Sequence, residues 1–87
     1  MLNYRVFIPM VFEEEAHLEA TIGTHILENG GQVDIAATGT QIGETCTMAF
    51  EGTLPDILAV LMKEWEDDDL AVEAFAEAAA EGRMELM

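Results

Sequence analysis

The side chains that could do chemistry in this 87-residue chain are mostly carboxylates. It contains 18 Asp and Glu against 3 Lys and Arg, which gives a formal net charge of −15 at pH 7. General acid–base catalysis requires a carboxyl group whose pKa is raised in an apolar pocket. The acids here are concentrated in segments that we predict to face solvent, so we expect no catalytic residue and no enzymatic activity.

Two histidines and one cysteine are the other reactive side chains. On a predicted helix, His17 and His25 point about 80° away from each other, whereas Glu13 and His17 are four residues apart and could share an ion. One His and one Glu make a poor metal site, so we expect no metal ligands and no cofactor. Cys46 is predicted to lie on an apolar strand face, which favours a buried, unreactive thiol over a nucleophile.

The clearest pattern is an acidic run, since five of the six residues 64–69 are acids. If one helix continues past this run, the acids recur every three or four residues along one side, at Glu66, Asp69, Glu73, Glu77 and Glu81. Like charges at this spacing destabilise a helix by about 0.2–0.5 kcal/mol per pair. Residues 64–81 contain no Lys or Arg to offset that cost.

This acidic stripe predicts a surface that binds a basic partner. At ~1.5 Å per residue it would extend about 22 Å, a length over which one DNA strand places about six or seven phosphates. The stripe could therefore compete for part of a basic nucleic-acid channel. The alternative is a solvated face that only maintains solubility. The predicted partner-binding residues are Glu64, Glu66, Asp67, Asp68, Asp69, Glu73, Glu77 and Glu81.

Charge and hydropathy also exclude several classes of function. With three basic residues, the chain has little affinity for nucleic acid. It has no apolar run approaching the ~18 residues of a membrane span, and residues 1–5 lack the apolar segment of a signal peptide. A single cysteine allows no intramolecular disulfide. We therefore expect a cytoplasmic protein with no direct nucleic-acid or membrane partner.

Hydrophobic periodicity predicts the strands that support this surface. Residues 4–12 are rich in β-formers, and Pro9, which has no amide hydrogen, indicates an exposed edge or a bulge there. Residues 32–38 and 45–51 alternate apolar and polar side chains, which predicts an antiparallel hairpin. Residues 83–87 fit either an edge strand or a frayed tail.

Residues 13–28 allow two interpretations. Three acids at positions 13–15, followed by Leu18, Ile22 and Ile26 at i, i+4 and i+8, favour a helix that ends at the glycines after Asn29. The competing interpretation is a strand over residues 21–27 with a hairpin turn at Asn29 and Gly30. We favour the helix.

Two further helical stretches are predicted near the C-terminus. Thr53 can cap a helix that has Pro55 in its first turn and Asp56 at the capping-box position. An alanine-rich stretch follows over residues 70–81, with Gly82 as its C-cap. Its predicted apolar face contains Leu70, Ala71, Ala74, Phe75, Ala78 and Ala79.

The predicted order β-α-β-β-α indicates a single α+β domain over residues 1–87. We expect a small antiparallel sheet with helices packed on one face, in a ferredoxin-like or ACT-like arrangement. A domain of this type could be a regulatory or oligomerisation domain that forms a homo-oligomer through an edge strand or an open sheet face. That is the alternative function.

In size, charge and its acidic C-terminal part, the chain resembles small phage-encoded inhibitors of host defence, including several anti-CRISPR proteins. The resemblance does not extend to a diagnostic motif. It implies a nucleic-acid mimic that acts by protein–protein interaction, without catalysis or cofactor. Its partner would be a basic protein or complex that normally binds nucleic acid, such as a CRISPR effector complex in the host cytoplasm.

Overall fold

Five strands and two helices make up the described part of the chain. The computed structural model describes residues 2–11, 23–42 and 45–87. The predicted α+β class is confirmed. Neither of the two helices is long enough and apolar enough to cross a membrane. In chain order the elements are β1 (Tyr4–Val11), β2 (Gly23–Ile26), β3 (Gln32–Ile42), β4 (Thr45–Gly52), α1 (Leu54–Trp65), α2 (Asp68–Ala80) and β5 (Met84–Leu86).

The strands form one sheet in the order β2-β3-β4-β1-β5, and each neighbouring pair is antiparallel. Val6 of β1 lies opposite Phe50 of β4 on one side and opposite Met84 of β5 on the other. Without β2, the order β3-β4-β1-β5 is that of a ferredoxin-like sheet, in which the hairpin strand β4 lies beside the first strand. β2 extends this sheet by one strand beyond β3.

The helix favoured for residues 13–28 is wrong where the structure describes it. Residues 23–26 form β2, which pairs with residues 32–35 of β3. The amide of Leu27 donates to the carbonyl of Gly31 at 2.7 Å, and the amide of Gly30 donates to the carbonyl of Leu27 at 2.9 Å. Gly30 has φ +86°, which favours glycine. The competing interpretation, a strand followed by a hairpin turn, is therefore confirmed for residues 23–30.

The helical spacing of apolar residues was outweighed in this segment by local chemistry. Gly23 has φ +134°, and the β-branched Thr24 and Ile26 are better suited to a strand than to a helix. Asn29 closes the turn, since its side-chain oxygen accepts from the amide of Gly31 at 2.8 Å. The helix start predicted at residues 13–15 lies outside the described residues.

The predicted β3–β4 hairpin is confirmed, and both strands are longer than predicted. β3 continues to Ile42 and β4 to Gly52. Pairing between the two strands changes register between Thr38 and Ile42, so the hydrogen-bond ladder is irregular there. β3 therefore includes residues 39–42, and Ile42 at its end pairs with Thr45 of β4.

The core lies between one face of the sheet and the two helices. Alternate residues of β1, β3 and β4 point into it, and α1 packs over β3 and β4 while α2 packs over β1. Burying each large aliphatic or aromatic side chain contributes about 1.5–3 kcal/mol. The buried cluster contains Val6, Ile8, Val33, Ile35, Met48, Phe50, Ile57, Val60, Leu61, Ala71 and Ala78.

α1 begins as its sequence predicts. The hydroxyl of Thr53 accepts from the amide of Asp56 at 3.4 Å, and Pro55 occupies the first turn, where it sacrifices no helical hydrogen bond. The helix buries Ile57, Val60 and Leu61.

α2 ends in a glycine motif that also connects the helix to the sheet. Gly82, with φ +73°, donates to the carbonyl of Ala79 at 3.3 Å, and Arg83 donates from its amide to the carbonyl of Ala78 at 2.8 Å. These two bonds define a Schellman motif, which confirms the predicted cap. The chain then enters β5, so residues 84–86 form an edge strand rather than a frayed tail.

The open edge predicted at Pro9 is confirmed. The amide of Phe7 donates to the carbonyl of Arg83 at 3.0 Å, on the β5 side of β1. Because alternate residues of a strand direct their amides to the same side, the nitrogen of Pro9 faces this side too. The described pairing of β5 with β1 ends at Val6 and Met84. Pro9 therefore removes no described hydrogen bond from the sheet.

Candidate functional site

The acidic run is divided by the junction between the two helices. α1 ends at Trp65, and Glu66 adopts the left-handed conformation with φ 53°. The amide of Glu66 still donates to the carbonyl of Met62 at 3.1 Å. Asp67 then returns to extended geometry as the N-cap of α2. The single continuous helix assumed for the acidic stripe is therefore wrong, and Glu66 does not share a helix with Asp69.

Three consecutive aspartates have a structural role at the start of α2. The Asp67 carboxylate accepts from the amide of Leu70 at 3.0 Å, and Asp68 and Asp69 occupy the first helical turn. Carboxylates in these positions stabilise a helix, because they satisfy open amides and face the positive end of its dipole. Part of the acidic run is thus explained by helix initiation.

The predicted surface residues are nevertheless nearly all accessible. Glu64 is half-buried, and the other seven are exposed. Only Asp69, Glu73 and Glu77 form a regular stripe, with four-residue spacing on α2. At ~1.5 Å per residue these three extend about 12 Å along the axis, which is shorter than the length expected from an unbroken helix.

Glu81 differs from the other predicted surface residues because it is paired. Arg83 lies 2.6 Å from Oε2 of Glu81 through Nη2 and 2.8 Å through Nε. Arg83 also donates from Nη1 to the carbonyl of Phe7 at 2.8 Å. The charge of Glu81 is therefore largely offset within the protein, and this residue contributes least to the field of the acidic surface.

The other two basic residues lie away from the acidic surface or do not pair with it. Arg5 is on the sheet, 2.9 Å from the carboxylate of Glu51 and 4.0 Å from that of Glu85. Lys63, in the last turn of α1, forms no salt bridge with any described residue. Across the described ranges, the seven predicted acids from Glu64 to Glu77 likewise form no salt bridge. Their charge is left for solvent ions or a partner.

Sequence reasoning missed the aliphatic part of this surface. Leu70 and Ala79 were predicted to face the core, but both are exposed, as is Val72. α2 is oriented by Ala71 and Ala78, the only two of its residues that are fully buried. At ~100° per residue, Leu70 and Ala79 lie about 80–100° from these two, at the sides of the helix rather than over the core. The small side chains of the inward alanines gave a weak signal for the orientation.

Two shallow depressions are lined by described residues outside this surface. One, of about 400 Å³, is at the end of the sheet and is lined in part by Asp34, Glu51 and Asp56. Asp34 accepts from Thr24 at 2.8 Å, and Glu51 pairs with Arg5, so two of these carboxylates already have partners. The other, of about 370 Å³, lies between the β2–β3 turn and Lys63.

Of the residues considered for metal binding and nucleophilic chemistry, the structure describes the side chain of His25. His25 lies on β2 rather than on a helix, which removes the helical geometry assumed for the histidine pair. Glu13, His17 and the side chain of Cys46 lie outside what the structure describes. Among the described residues, no group of three His, Cys, Asp or Glu side chains is arranged to hold a metal ion.

Comparisons with protein-family models, with curated proteins and with solved structures find no match to this chain. The fold therefore rests on the topology of the chain itself, and its candidate site on the charge and exposure of the residues described above.

Proposed function

We propose that this chain is a non-enzymatic interaction protein that inhibits a nucleic-acid-binding partner by covering the partner's basic surface. The acidic residues at the α1–α2 junction and on α2 would make the contact. One observation carries the proposal. Seven carboxylates fall within residues 64–77, none of them forms a salt bridge with a described base, and six are exposed.

Energetics support a role beyond helix initiation. Asp67, Asp68 and Asp69 stabilise the start of α2, but Glu73 and Glu77 do not share that benefit. They are four residues apart, a spacing at which like charges cost about 0.2–0.5 kcal/mol. Glu77 also lies in the half of the helix where the dipole disfavours an anion. A basic partner would turn this repulsion into attraction, and it would accelerate association at low ionic strength.

The dimensions support competition for a limited part of a nucleic-acid channel. The regular stripe Asp69–Glu73–Glu77 covers about 12 Å, the length of about three or four phosphates along one DNA strand. Resemblance to anti-CRISPR proteins suggests a CRISPR effector complex in the host cytoplasm as the partner. The chain would block such a channel locally rather than imitate a long duplex.

Displacement of DNA tests the proposal. A purified CRISPR effector complex is loaded with fluorescent target DNA, and release of the DNA on addition of the chain is followed by anisotropy. Displacement is expected, and it should weaken steeply as salt increases. The variant Glu73→Lys with Glu77→Lys should lose it. The matched variant Glu28→Lys with Glu85→Lys, also at exposed positions, should retain it. Equal displacement by both variants would exclude the acidic surface of α2 as the contact.

A second candidate, an oligomerisation domain, is favoured by apolar side chains at one edge of the sheet. Leu2, Leu86 and Met87 are about 60% exposed where the ends of β1 and β5 adjoin. Glu85 opposes this arrangement, since antiparallel β5–β5 pairing centred on it would bring two copies of its carboxylate together. Light scattering separates the candidates. A stable dimer that Leu86→Thr dissociates would support the second.

A further inference from the structure

The exposed face of α2 has a composition that solvation does not explain. Nine of the 13 residues of this helix are exposed, and they comprise four acids and five aliphatic or alanine residues, with no base and no neutral polar residue. The acids are Asp68, Asp69, Glu73 and Glu77, and the others are Leu70, Val72, Ala76, Ala79 and Ala80. Solubility accounts for carboxylates, but it does not account for Leu70 at 50% exposure or Val72 at 47%.

The two large aliphatic side chains flank the outward ridge of the helix. The direction opposite the buried Ala71 and Ala78 passes close to Asp69. At ~100° per residue, Leu70 lies about 90° to one side of that direction, and Val72 lies about 70° to the other. A partner that approached the acidic ridge would therefore contact aliphatic surface on both sides of it.

The other non-acidic residues of the exposed face have small side chains, which allow close packing. Ala76, Ala79 and Ala80 are the non-acidic exposed residues of the last two turns. Alanine on a helix surface allows a second helix to approach to the short end of the usual ~8–10 Å interaxial range. α2 is about 20 Å long at ~1.5 Å per residue, which is sufficient for such a contact.

We propose that the outer face of α2 docks a basic amphipathic helix of the partner protein. Apolar side chains of that helix would pack on Leu70 and Val72, and its Lys or Arg side chains would pair with Asp69, Glu73 and Glu77. This inference rests on the proposed function and specifies the partner's contacting element. It also predicts a contribution to binding that salt does not screen.

Charge determines which kind of molecule can bind the outer face of α2. A second copy of this chain would place the carboxylates of one α2 against those of the other, at a net charge of −15 per protomer. A nucleic acid would be repelled for the same reason. A surface lined only with Lys and Arg would pair with the acids and leave the aliphatic side chains against charged groups. A helix that carries both bases and apolar residues complements the whole face.

Two synthetic peptides of about 18 residues provide the probe. One is an amphipathic Leu/Lys helix, and the other has the same lysines with Gln in place of every Leu. Affinities for the intact chain are measured by titration calorimetry at about 50 mM and about 500 mM salt. The Leu/Lys peptide should bind about tenfold more tightly, and this preference should persist at high salt because apolar burial is not screened.

Matched double variants test whether Leu70 and Val72 cause the preference for the Leu/Lys peptide. Leu70→Gln with Val72→Gln should remove it while leaving helical content and thermal unfolding unchanged, because both side chains are exposed and Gln is a good helix former. Ile26→Thr with Leu86→Thr, which changes two other exposed aliphatic residues on the edge strands β2 and β5, should retain it. Glu73→Gln with Glu77→Gln should weaken both peptides to a similar degree.

The possible failures are distinguishable. If the Leu70/Val72 variant keeps the full preference, or if the two peptides bind equally, the docking of an amphipathic helix is wrong. The acidic-surface proposal then stands as long as the Glu73/Glu77 variant weakens binding. If that variant binds both peptides like the parent chain, both proposals are wrong. A dimer of the parent chain that dissociates in the Leu70/Val72 variant would instead assign this face to a second copy.

Discussion

The carboxylate of Asp67 accepts a hydrogen bond from the backbone amide of Leu70 at 3.0 Å, and this contact starts α2. One acid of the run is therefore used to form the helix that carries Asp69, Glu73 and Glu77. The amide donor belongs to one of the two large aliphatic residues that this helix exposes. The residue that caps α2 and an aliphatic residue of the proposed contact surface thus lie within the same four residues.

Replacing the capping residue Asp67 should measurably lower the stability of the protein. Asp67→Ala leaves open amides in the first turn of α2, and we expect it to lower the free energy of unfolding by about 1 kcal/mol. Asp67→Ser removes the same charge but keeps a capping oxygen, so it should lower stability much less. Urea denaturation compares the two variants. An equal loss in both would mean that the charge, and not the cap, stabilises the helix.

The left-handed conformation of Glu66 predicts a stabilising substitution. Glu66→Gly removes the steric cost of φ 53°, and we expect a gain of about 0.5–1 kcal/mol in the free energy of unfolding. Glu66→Gln removes the charge and keeps the backbone cost, so it should produce a smaller change. Thermal unfolding of both variants at one salt concentration makes the comparison. No gain for the glycine variant would show that the conformation carries little strain.

Arg83 should matter more to stability than the acid with which it pairs. Its guanidinium donates to the carbonyl of Phe7 at 2.8 Å and so connects the end of α2 to β1. Arg83→Leu should destabilise the chain by about 1 kcal/mol. Glu81→Gln, which breaks only the ion pair of an exposed carboxylate, should cost no more than about 0.5 kcal/mol. If the two variants lose equal stability, the contact with Phe7 contributes nothing.

Neutralising part of the acidic face should stabilise the free protein. Glu73→Gln with Glu77→Gln removes two like-charge pairs, Asp69–Glu73 and Glu73–Glu77, and one unfavourable dipole interaction, which together should raise the free energy of unfolding by about 0.5–1 kcal/mol. The gain should shrink as salt is added. Glu28→Gln with Glu85→Gln, matched in net charge, serves as the control in chemical denaturation. A larger gain in the control would indicate that the repulsion is not local to α2.

Features encoded by neighbouring residues could be predicted from the sequence. Thr53, Pro55 and Asp56 specify the start of α1 through short-range hydrogen bonding and a fixed backbone angle. Gly82 specifies the end of α2, and Pro9 indicated an open edge of β1. Alternation over residues 32–38 and 45–51 predicted the β3–β4 hairpin, because a strand exposes its two faces in turn, and the structure buries Val33, Ile35, Met48 and Phe50 on its inner face.

Features decided by tertiary contacts could not be predicted in the same way. The spacing of Leu18, Ile22 and Ile26 fits a helix, yet Ile26 lies in β2 because pairing with β3 determines the conformation there. The break at Glu66 has no glycine or proline to signal it, so the acids on either side looked like one continuous stripe. The orientation of α2 depends on two alanines, whose small apolar area makes a weak pattern in the sequence.

The central claim is that the acidic face of α2 binds a basic partner, and the salt dependence of that binding tests it most directly. The dissociation constant for the CRISPR effector complex is measured over a series of salt concentrations for the parent chain, Glu73→Gln with Glu77→Gln, and Glu28→Gln with Glu85→Gln. We predict that the first double variant binds more weakly and with a shallower salt dependence, and that the second follows the parent chain. Indistinguishable salt dependence in the two double variants would contradict the claim.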